Sequence, residues 1–313
     1  MEKTKHISVL LQKSIASLNI RPNGVYIDTT LGGAGHAKSI MQQMQNKGVL
    51  VVCDRDPKPI KNFETELVKA GFVVEVNQNA RVLVKEDLRI LLLQINFAAL
   101  QENLQRLKIN KVDGILTDLG ISTDQLLDQQ RGFSYLTKGK LDMRMDPSLR
   151  VTAADLVNGL YQKELEDLFL KLGDVDFASK LARLIIKSRQ KKLIKTVADL
   201  KGIVQKIVPS DSRIGANRHP EAKVFQALRI AVNDELNSLR VFLPQAFETL
   251  SSGGRLSVIT FHSGEDRIVK NVFRDLVTEK KAEYIHKLLK PDDAELTSNT
   301  RSHSAKLRVI EKI

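Results

Sequence analysis

The feature that most constrains the fold of this chain is a glycine-rich turn between a buried strand and a helix. The apolar run Val25-Tyr26-Ile27 predicts the strand, and a helical pattern begins near Ala37. Three glycines lie in the nine residues from Asp28 to His36. Such a turn lets backbone N–H groups approach a ligand closely and points the helix N-terminus at it. The turn therefore predicts a ligand at the carboxyl end of this strand.

A second apolar strand over 48–53 ends in Asp54. An acidic residue at this position can accept hydrogen bonds from the hydroxyls of a ribose. The turn and the acid together predict a nucleotide-like cofactor with a free ribose.

The pattern favours S-adenosylmethionine over NAD. The NAD fingerprint requires a third glycine, and Lys38 stands in its place. Asp28 would repel a pyrophosphate, whereas it can pair with the ammonium group of a methionine moiety. NAD, and a tight turn that binds no ligand, remain open as alternatives at this point.

Strands and helices alternate along the first part of the chain, which predicts a parallel sheet with helices on both faces. Later strands are predicted over 255–261 and 306–312. The remaining predicted strands are 25–28, 48–53, 89–95 and 112–118, and the predicted helices are 37–46, 57–70, 98–108 and 221–250.

The alternation breaks after Asp118. Residues 129–217 show helical periodicity without strands, which predicts a helical domain inserted into a discontinuous sheet domain of residues 1–128 and 218–313. The predicted helices of the insert are 153–156, 163–172, 177–188 and 197–207, and the predicted loops are 187–195 and 209–215.

The net charge of +12 indicates a polyanionic partner, chiefly nucleic acid. Residues 131–218 carry 18 Lys and Arg against 10 Asp and Glu, a net of +8 in under a third of the chain. A run without acids includes the candidate phosphate contacts Lys187, Arg189, Lys191 and Lys192. A solvated helix face is the alternative interpretation of this run.

Further candidates lie around the predicted sheet edge. Asp118 ends a strand, as Asp28 and Asp54 do, and Gln125 follows it closely enough to bond an adenine edge. Phe133, Arg144, His219 and His262 are open between structural and functional roles. The spacing of His and Cys predicts no metal site. With no run near 18 apolar residues, no signal-peptide pattern and a single cysteine, Cys53, we expect a cytoplasmic protein.

Several blocks, in order along nearly the whole chain, resemble the bacterial 16S rRNA cytosine N4-methyltransferase family (RsmH/MraW). The matching blocks are His6–Leu11, Asp28–His36, Asp54–Pro57, Val112–Ser122, Arg131–Ser134, Leu141–Pro147, His219–Pro220, Phe225–Val232, Gly253–Lys270 and Ser304–Arg308. Four positions differ from what the family often has, namely Lys13, Ala34, Lys223 and Gly264. About 20 residues within 61–88 are extra.

The resemblance implies a Rossmann-like S-adenosylmethionine-dependent methyltransferase domain with an inserted all-helical domain. The implied reaction is methylation of N4 of cytidine 1402 in the 16S rRNA of the small ribosomal subunit. The implied cofactor contacts are Ala34, Gly35, His36, Asp54, Phe97, Asp118 and Gln125.

The substrate amine needs an acceptor, because positive charge develops on its nitrogen as the methyl group arrives. Asp118 is the candidate, with a role limited to cofactor contact as the alternative. Phe133 is a candidate stacking partner for the base, and Arg144 and His219 are candidate RNA contacts. An NAD-linked enzyme and a non-catalytic RNA-binding assembly factor remain alternatives, and a dimer is left open.

Overall fold

The computed structural model describes residues 8–77, 80–207 and 219–313. His6 and the loop predicted at 209–215 lie outside these ranges. The chain divides into two compact units, one formed by Met1–Ile121 with Leu236–Ile313 and the other by Ser122–Glu235. The second unit extends beyond the insert predicted at 129–217 on both sides, and the predicted domain boundaries stay a prediction.

The first unit is built on one mixed sheet that has nine strands within the described ranges, in the order β3-β4-β5-β2-β1-β6-β7-β9-β8. The central strands β5, β2, β1, β6 and β7 run parallel, and β4 and β9 run antiparallel to their neighbours. The strands are β1 Val25–Asp28, β2 Lys47–Asp54, β3 Val73–Asn77, β4 Ala80–Lys85, β5 Asp87–Gln94, β6 Val112–Asp118, β7 Leu250–Thr260, β8 Ala282–Leu289 and β9 Lys306–Lys312.

Helices cover both faces of this sheet, as predicted. Alternate residues of β2 point to opposite faces, so Val51 and Cys53 join one apolar cluster while Leu50 and Val52 join the other. The helices of this unit are α1 Leu11–Ser17, α2 Gly35–Gln43, α3 Pro57–Lys69, α4 Leu100–Arg106, α11 Glu235–Thr249, α12 Ser263–Thr278 and α13 Asp293–Ser298.

The second unit is helical, and α8 and α10 pack with α7. Helices α6 and α9 begin at capping boxes formed by Thr152 with Asp155 and by Thr196 with Asp199. The helices are α5 Thr123–Leu127, α6 Ala153–Gly159, α7 Gln162–Gly173, α8 Ala178–Arg189, α9 Val197–Gln205 and α10 Pro220–Asn233. In the described part of the chain, every helix is too short or too polar to cross a membrane.

Three sequence predictions were wrong or incomplete. The helix predicted over 221–250 is two helices, because Asp234 between them adopts a left-handed backbone with φ of 47°. Strand β8 was missed. The extra residues within 61–88 include the antiparallel strands β3 and β4, which extend the sheet at its edge beyond β5.

Candidate functional site

The candidate site of the first unit lies at the carboxyl ends of β2, β1 and β6, which are neighbours in the sheet. Asp54, Asp28 and Asp118 are the last residues of these three strands. From β1 the chain continues to β2, which pairs with one side of β1, whereas β6 pairs with the other side of β1. This reversal of strand order opens the crevice in which α/β proteins bind their ligands.

Asp28 is fully buried and only partly satisfied. Its Oδ1 accepts a hydrogen bond from the N–H of Thr30 at 3.1 Å, and its Oδ2 accepts none from the described residues. Burial raises the pKa of Asp28 to about 7; the N–H groups of Thr30 and Ala37 lower this pKa, and the charge of Asp54 raises it further. A buried carboxylate oxygen without a donor is costly unless a ligand supplies one.

Asp54 holds the glycine-rich turn. Its Oδ2 accepts from the N–H of Gly32 at 3.0 Å and its Oδ1 accepts from the N–H of Asp56 at 2.9 Å. Burial raises the pKa of Asp54 to about 6, against the lowering effect of these two N–H groups. Because a carboxylate oxygen can accept more than one hydrogen bond, Asp54 keeps capacity for a ribose hydroxyl.

Asp118 is fixed through its backbone and keeps an uncommitted oxygen. Its N–H donates to Thr30 Oγ1 at 2.7 Å, and its Oδ2 lies 3.7 Å from His36 Nδ1, beyond hydrogen-bond distance. Its Oδ1 accepts no hydrogen bond within the described ranges. Burial raises the pKa of Asp118 well above its usual range, and the charges of Asp28 and Glu265 add to this.

The turn brings backbone close to this acidic edge. Ala34 begins α2 from a left-handed backbone with φ of 61°, a conformation that glycine adopts at less cost. A Cβ on Gly35 would lie 2.1 Å from Ser8 Oγ, so any larger residue here would force the Ser8 side chain to move. His36 is buried in the first turn of α2.

Phe97 lies just beyond the carboxyl end of β5, in a 3₁₀ turn that Asn96 caps. Its ring is 8% exposed, its centroid is 5.0 Å from that of Phe242, and the guanidinium of Arg55 lies 5.7 Å from it. The ring is therefore held in place at the same edge as the three aspartates.

Sequence reasoning did not find Thr30, whose hydroxyl joins the turn to β6, or Glu265, whose charge acts on Asp118. Threonine after a strand-end acid carries no distinctive signal, and the pairing needs the sheet order to be known. Among the described residues, no group of three His, Cys, Asp or Glu could hold a metal ion.

The site fits a cationic nucleoside cofactor. Two buried oxygens, Asp28 Oδ2 and Asp118 Oδ1, have no donor from the described residues, and burial disfavours their charge. A group that brings positive charge supplies what such oxygens lack, whereas a pyrophosphate would add to the repulsion. Asp54, which keeps capacity for a further hydrogen bond, and the ring of Phe97 lie at this same edge.

Two of the candidate residues of the second unit make local structural contacts. Gln125 Oε1 accepts from the N–H of Ser122 at 3.0 Å in the capping box of α5. Phe133 is 4% exposed, with the guanidinium of Arg131 5.2 Å from its ring. Their roles toward cofactor and base stay predictions.

Arg144 is committed to its own loop. It donates to both carboxylate oxygens of Asp142 at 2.8 Å and to the carbonyls of Pro147 and Leu149 at 3.1 and 2.6 Å. Hydrogen bonds from Arg144 hold the pKa of Asp142 below its usual range, although burial alone would raise it. This clamp leaves Arg144 little capacity for a phosphate.

The basic run divides into exposed and structural members. Lys187 and Lys191 are exposed, and Lys192 is 80% exposed although it pairs with Asp199 at 3.3 Å. Arg189 instead donates to the carbonyls of Val157 and Leu160 at 2.9 and 2.7 Å, at the end of α6.

His219 stands at the start of α10, as the sequence predicted, and its imidazole is stacked with the ring of Tyr135 at 6.0 Å. The side chain of Lys201 lies 5.9 Å from the same tyrosine ring, which also meets Phe225 edge-on. His219 is exposed beside this aromatic group, and a role in binding RNA stays a prediction.

The fold is a Rossmann-like α/β fold, and its acidic edge fits a cationic nucleoside cofactor. The model of the MraW methylase family matches residues 3–313. Ribosomal RNA small subunit methyltransferase H of Clostridioides difficile (strain 630) is 37% identical over 324 residues, covering 98% of this chain and 99% of that protein. The chain therefore belongs to the MraW methylase family, and it is a methyltransferase.

Other relatives agree in name and extent. The protein of the same name from Caldicellulosiruptor bescii is 38% identical over 325 residues, covering 99% of both chains. The one from Streptococcus mutans serotype c is 38% identical over 326 residues, covering 98% of both chains.

Proposed function

We propose that this protein transfers a methyl group from S-adenosylmethionine to the 16S rRNA of the small ribosomal subunit, at N4 of cytidine 1402. The names of the relatives support the rRNA substrate. The observation that carries the proposal is Asp118, whose Oδ1 has no donor from the described residues at the edge where the reaction occurs. An amine whose nitrogen becomes positive during the reaction supplies the missing donor.

Residues at and near the carboxyl ends of the central strands hold the cofactor. Asp54 accepts from the ribose hydroxyls, Phe97 contacts the adenine, and the backbone of Ala34, Gly35 and His36 lies along the methionine moiety. Gln125 is a further candidate for the adenine edge. Asp28 offsets the positive charge of the ligand. When bound, S-adenosylmethionine supplies an electrophilic methyl group that needs no further activation.

The task of the remaining residues is to bind and orient a poor nucleophile. The lone pair of the cytosine amino group is delocalised into the ring, so catalysis depends on holding N4 in line with the methyl group. Asp118 accepts a hydrogen bond from this amine and offsets the charge that develops on it. Its backbone bond to Thr30 fixes the direction of the carboxylate.

RNA affinity comes from exposed cations. The second unit contributes Lys187, Lys191 and Lys192, which lie on or just beyond the end of α8. Contacts between such cations and phosphates position a nucleic acid without reading its sequence. The target base leaves its stack before methylation, at a cost of about a few kcal/mol.

The proposal is tested by mapping methylated nucleosides. Small subunits from cells lacking the protein are incubated with the purified protein and isotopically labelled S-adenosylmethionine, and the rRNA is digested for mass spectrometry. We expect one labelled N4-methylcytidine at position 1402. Label at another base or another atom would contradict the finer assignment, and no label in rRNA would contradict the proposed function.

A further inference from the structure

A cavity of about 280 Å³ lies in the first unit beyond the carboxyl end of β7. Its wall is formed by the residues that follow β7 and by those that follow β8 and precede β9. The lining includes Phe261, His262, Lys290, His303, Ser304 and Lys306. Four of these side chains are basic, so the cavity favours an anion.

Two acids contact side chains of the wall: Glu265 Oε1 lies 3.1 Å from His262 Nε2, and Asp266 pairs with Lys306. Asp266 accepts from both Lys306 Nζ at 2.9 Å and Arg308 Nε at 2.8 Å. Burial alone would raise the pKa of Asp266, but these two hydrogen bonds hold it below its usual range. The carboxylate of Asp266 is thus shared between Lys306 and Arg308, and these three side chains together carry a net positive charge.

Two other side chains of the wall are available to a ligand. Lys290 and His303 are exposed, and neither forms an ion pair with another residue of the described ranges. The backbone of Lys290 is nevertheless held, because its carbonyl accepts from Lys13 Nζ at 3.0 Å and Lys13 also pairs with Asp292 at 2.9 Å. The backbone that carries the Lys290 side chain is therefore held in position.

Helix α12 adds its N-terminus to this wall. The helix begins at Ser263, which lines the cavity, so the partial positive charge of its N-terminus lies at the wall, where Glu265 and Asp266 of the first turn partly offset it. Glu265 accepts from the N–H groups of Phe261 and His262 at 2.8 and 3.3 Å, which fixes the turn that enters the helix.

The cavity lies at the end of the sheet that also carries Asp118. Ile259, near the end of β7, pairs in register with Asp118 at the end of β6. The charge of Glu265, in the first turn of α12, also raises the pKa of Asp118. An anion bound in the cavity would therefore lie at the same end of the sheet as the candidate acceptor, on the side of β7 away from β6.

We propose that this cavity binds a backbone phosphate of the RNA substrate beside the target nucleotide, with Lys290 and His303 as its principal contacts. The proposal rests on the proposed function for its ligand. A phosphodiester fits because it is the anion that a base entering this edge carries with it. The contact fixes the register of the strand and leaves base recognition to other residues.

A chemical double-mutant cycle tests the contact. The probe is an RNA oligonucleotide containing the target cytidine, prepared in a series in which one flanking phosphate at a time is a neutral methylphosphonate. Affinity for each probe is measured with the wild type, with Lys290→Gln and with His303→Gln. Lys69→Gln, at an exposed lysine on the last turn of α3, is the matched control.

We expect one methylphosphonate position to weaken wild-type binding about 3- to 10-fold and to have no further effect in Lys290→Gln. The plot of log affinity against log salt concentration should be less steep for Lys290→Gln than for the wild type. The expected difference in slope is about 0.7, the value for one phosphate contact with a single strand. Lys69→Gln should respond to the methylphosphonates as the wild type does. S-adenosylmethionine affinity should be unchanged in all three variants.

Equal losses for the wild type and Lys290→Gln at every position would overturn the proposal, as would an unchanged salt slope. Inorganic phosphate competing equally well against both proteins would also overturn it. The proposed function fails separately, when the wild type transfers no methyl group to rRNA. A position-specific loss seen without methyl transfer would keep the phosphate site and remove the function.

Discussion

Asp28, Asp54 and Asp118 end neighbouring strands, yet their carboxylates are used differently. Asp54 accepts from two backbone N–H groups, so it serves the turn even without a ligand. Asp28 and Asp118 each keep one oxygen without a donor from the described residues. These two residues therefore reduce the stability of the free protein, and bound groups that bring positive charge relieve that cost.

Replacing Asp28 by Asn should stabilise the free protein at neutral and alkaline pH. The folded-state pKa of about 7 exceeds the ordinary value of 3.8, so the folded chain binds the proton more tightly than the unfolded chain. Between about pH 4 and pH 7 this acid makes the free energy of unfolding fall as pH rises. We expect Asp28→Asn to gain about 2–4 kcal/mol at pH 8 and little at pH 4.

Urea unfolding at a series of pH values measures this difference. Asp87→Asn, at an exposed acid at the start of β5, is the control and should follow the wild type at every pH. Cofactor affinity of Asp28→Asn should fall at the same time. A stability difference that does not change with pH would contradict the assignment.

Replacing Asp118 by Asn separates its two candidate roles. The amide keeps the size of the side chain but loses the charge that offsets the developing cation. We expect S-adenosylmethionine binding to survive within a few fold, while single-turnover methyl transfer falls by about 10²–10³. Asp113→Asn, at an exposed acid on the same strand, should leave both quantities unchanged.

Restoration of the Asp118→Asn rate by saturating cofactor would show that Asp118 only anchors the cofactor. The pH profile gives a second readout. Because the acceptor is the ionised form, the wild-type rate should fall as pH decreases through the raised pKa of Asp118. The Asn variant should lose this dependence.

At the scale of elements, glycine has opposite effects at two helical positions of the second unit. At the end of α7, a Cβ on Gly173 would lie 2.7 Å from the carbonyl oxygen of Lys223 and 2.9 Å from Ala227 Cβ, both on α10. A Cβ on Gly202, inside α9, would meet nothing within 4 Å. Gly173 therefore permits close packing of α7 on α10, whereas Gly202 only costs chain entropy.

Alanine at the two positions should change stability in opposite directions. We expect Gly173→Ala to destabilise by about 1–3 kcal/mol through overpacking. We expect Gly202→Ala to stabilise by about 0.5–1 kcal/mol through helix propensity. Denaturant midpoints of the two variants, measured side by side, check both signs, and a loss in both would refute the packing argument.

The observed helices and strands show which parts of the fold could be predicted from the sequence. Strands β1, β6 and β9 were predicted at their observed bounds, because their apolar runs end at turn residues or acids. The helix predicted over 221–250 was wrong because left-handed Asp234 interrupts a continuous apolar periodicity. Strand β3 was missed because an edge strand needs less apolar surface, and Val73 is 67% exposed.

The residues of the candidate site were also predictable only in part. Strand-end acids beside glycines can be read from a sequence because they follow apolar runs. Contacts between distant segments, such as Asp118 with Thr30 or Lys13 with Asp292, depend on strand order and carry no local pattern. The cavity beyond β7 belongs to this second kind, since Lys290 and His303 are unremarkable in the sequence.

For the whole molecule, the net charge of +12 predicts RNA binding that is sensitive to salt. Neutralising Lys187, Lys191 and Lys192 together should weaken RNA binding and reduce the salt slope by about 2–3. Arg189 is left intact because it donates to two carbonyls at the end of α6.

A second triple variant, with Lys47, Lys61 and Lys69 of the first unit neutralised, carries the same loss of charge and serves as control. Its salt slope should remain closer to that of the wild type, and cofactor affinity should be unchanged in both. Equal slopes for the two triple variants would mean that net charge, and no particular surface, attracts the RNA.

The pairing of β6 with β7 has a consequence for synthesis on the ribosome. Gly114 pairs with Arg255, so the two strands are separated by the whole of the second unit. At about 5–20 residues per second, β6 waits roughly 7–30 s for its partner. Nascent chains arrested before residue 250 should therefore keep one edge of the sheet open to proteases and holdase chaperones, and limited proteolysis of arrested chains should show that edge closing only after the final strands emerge.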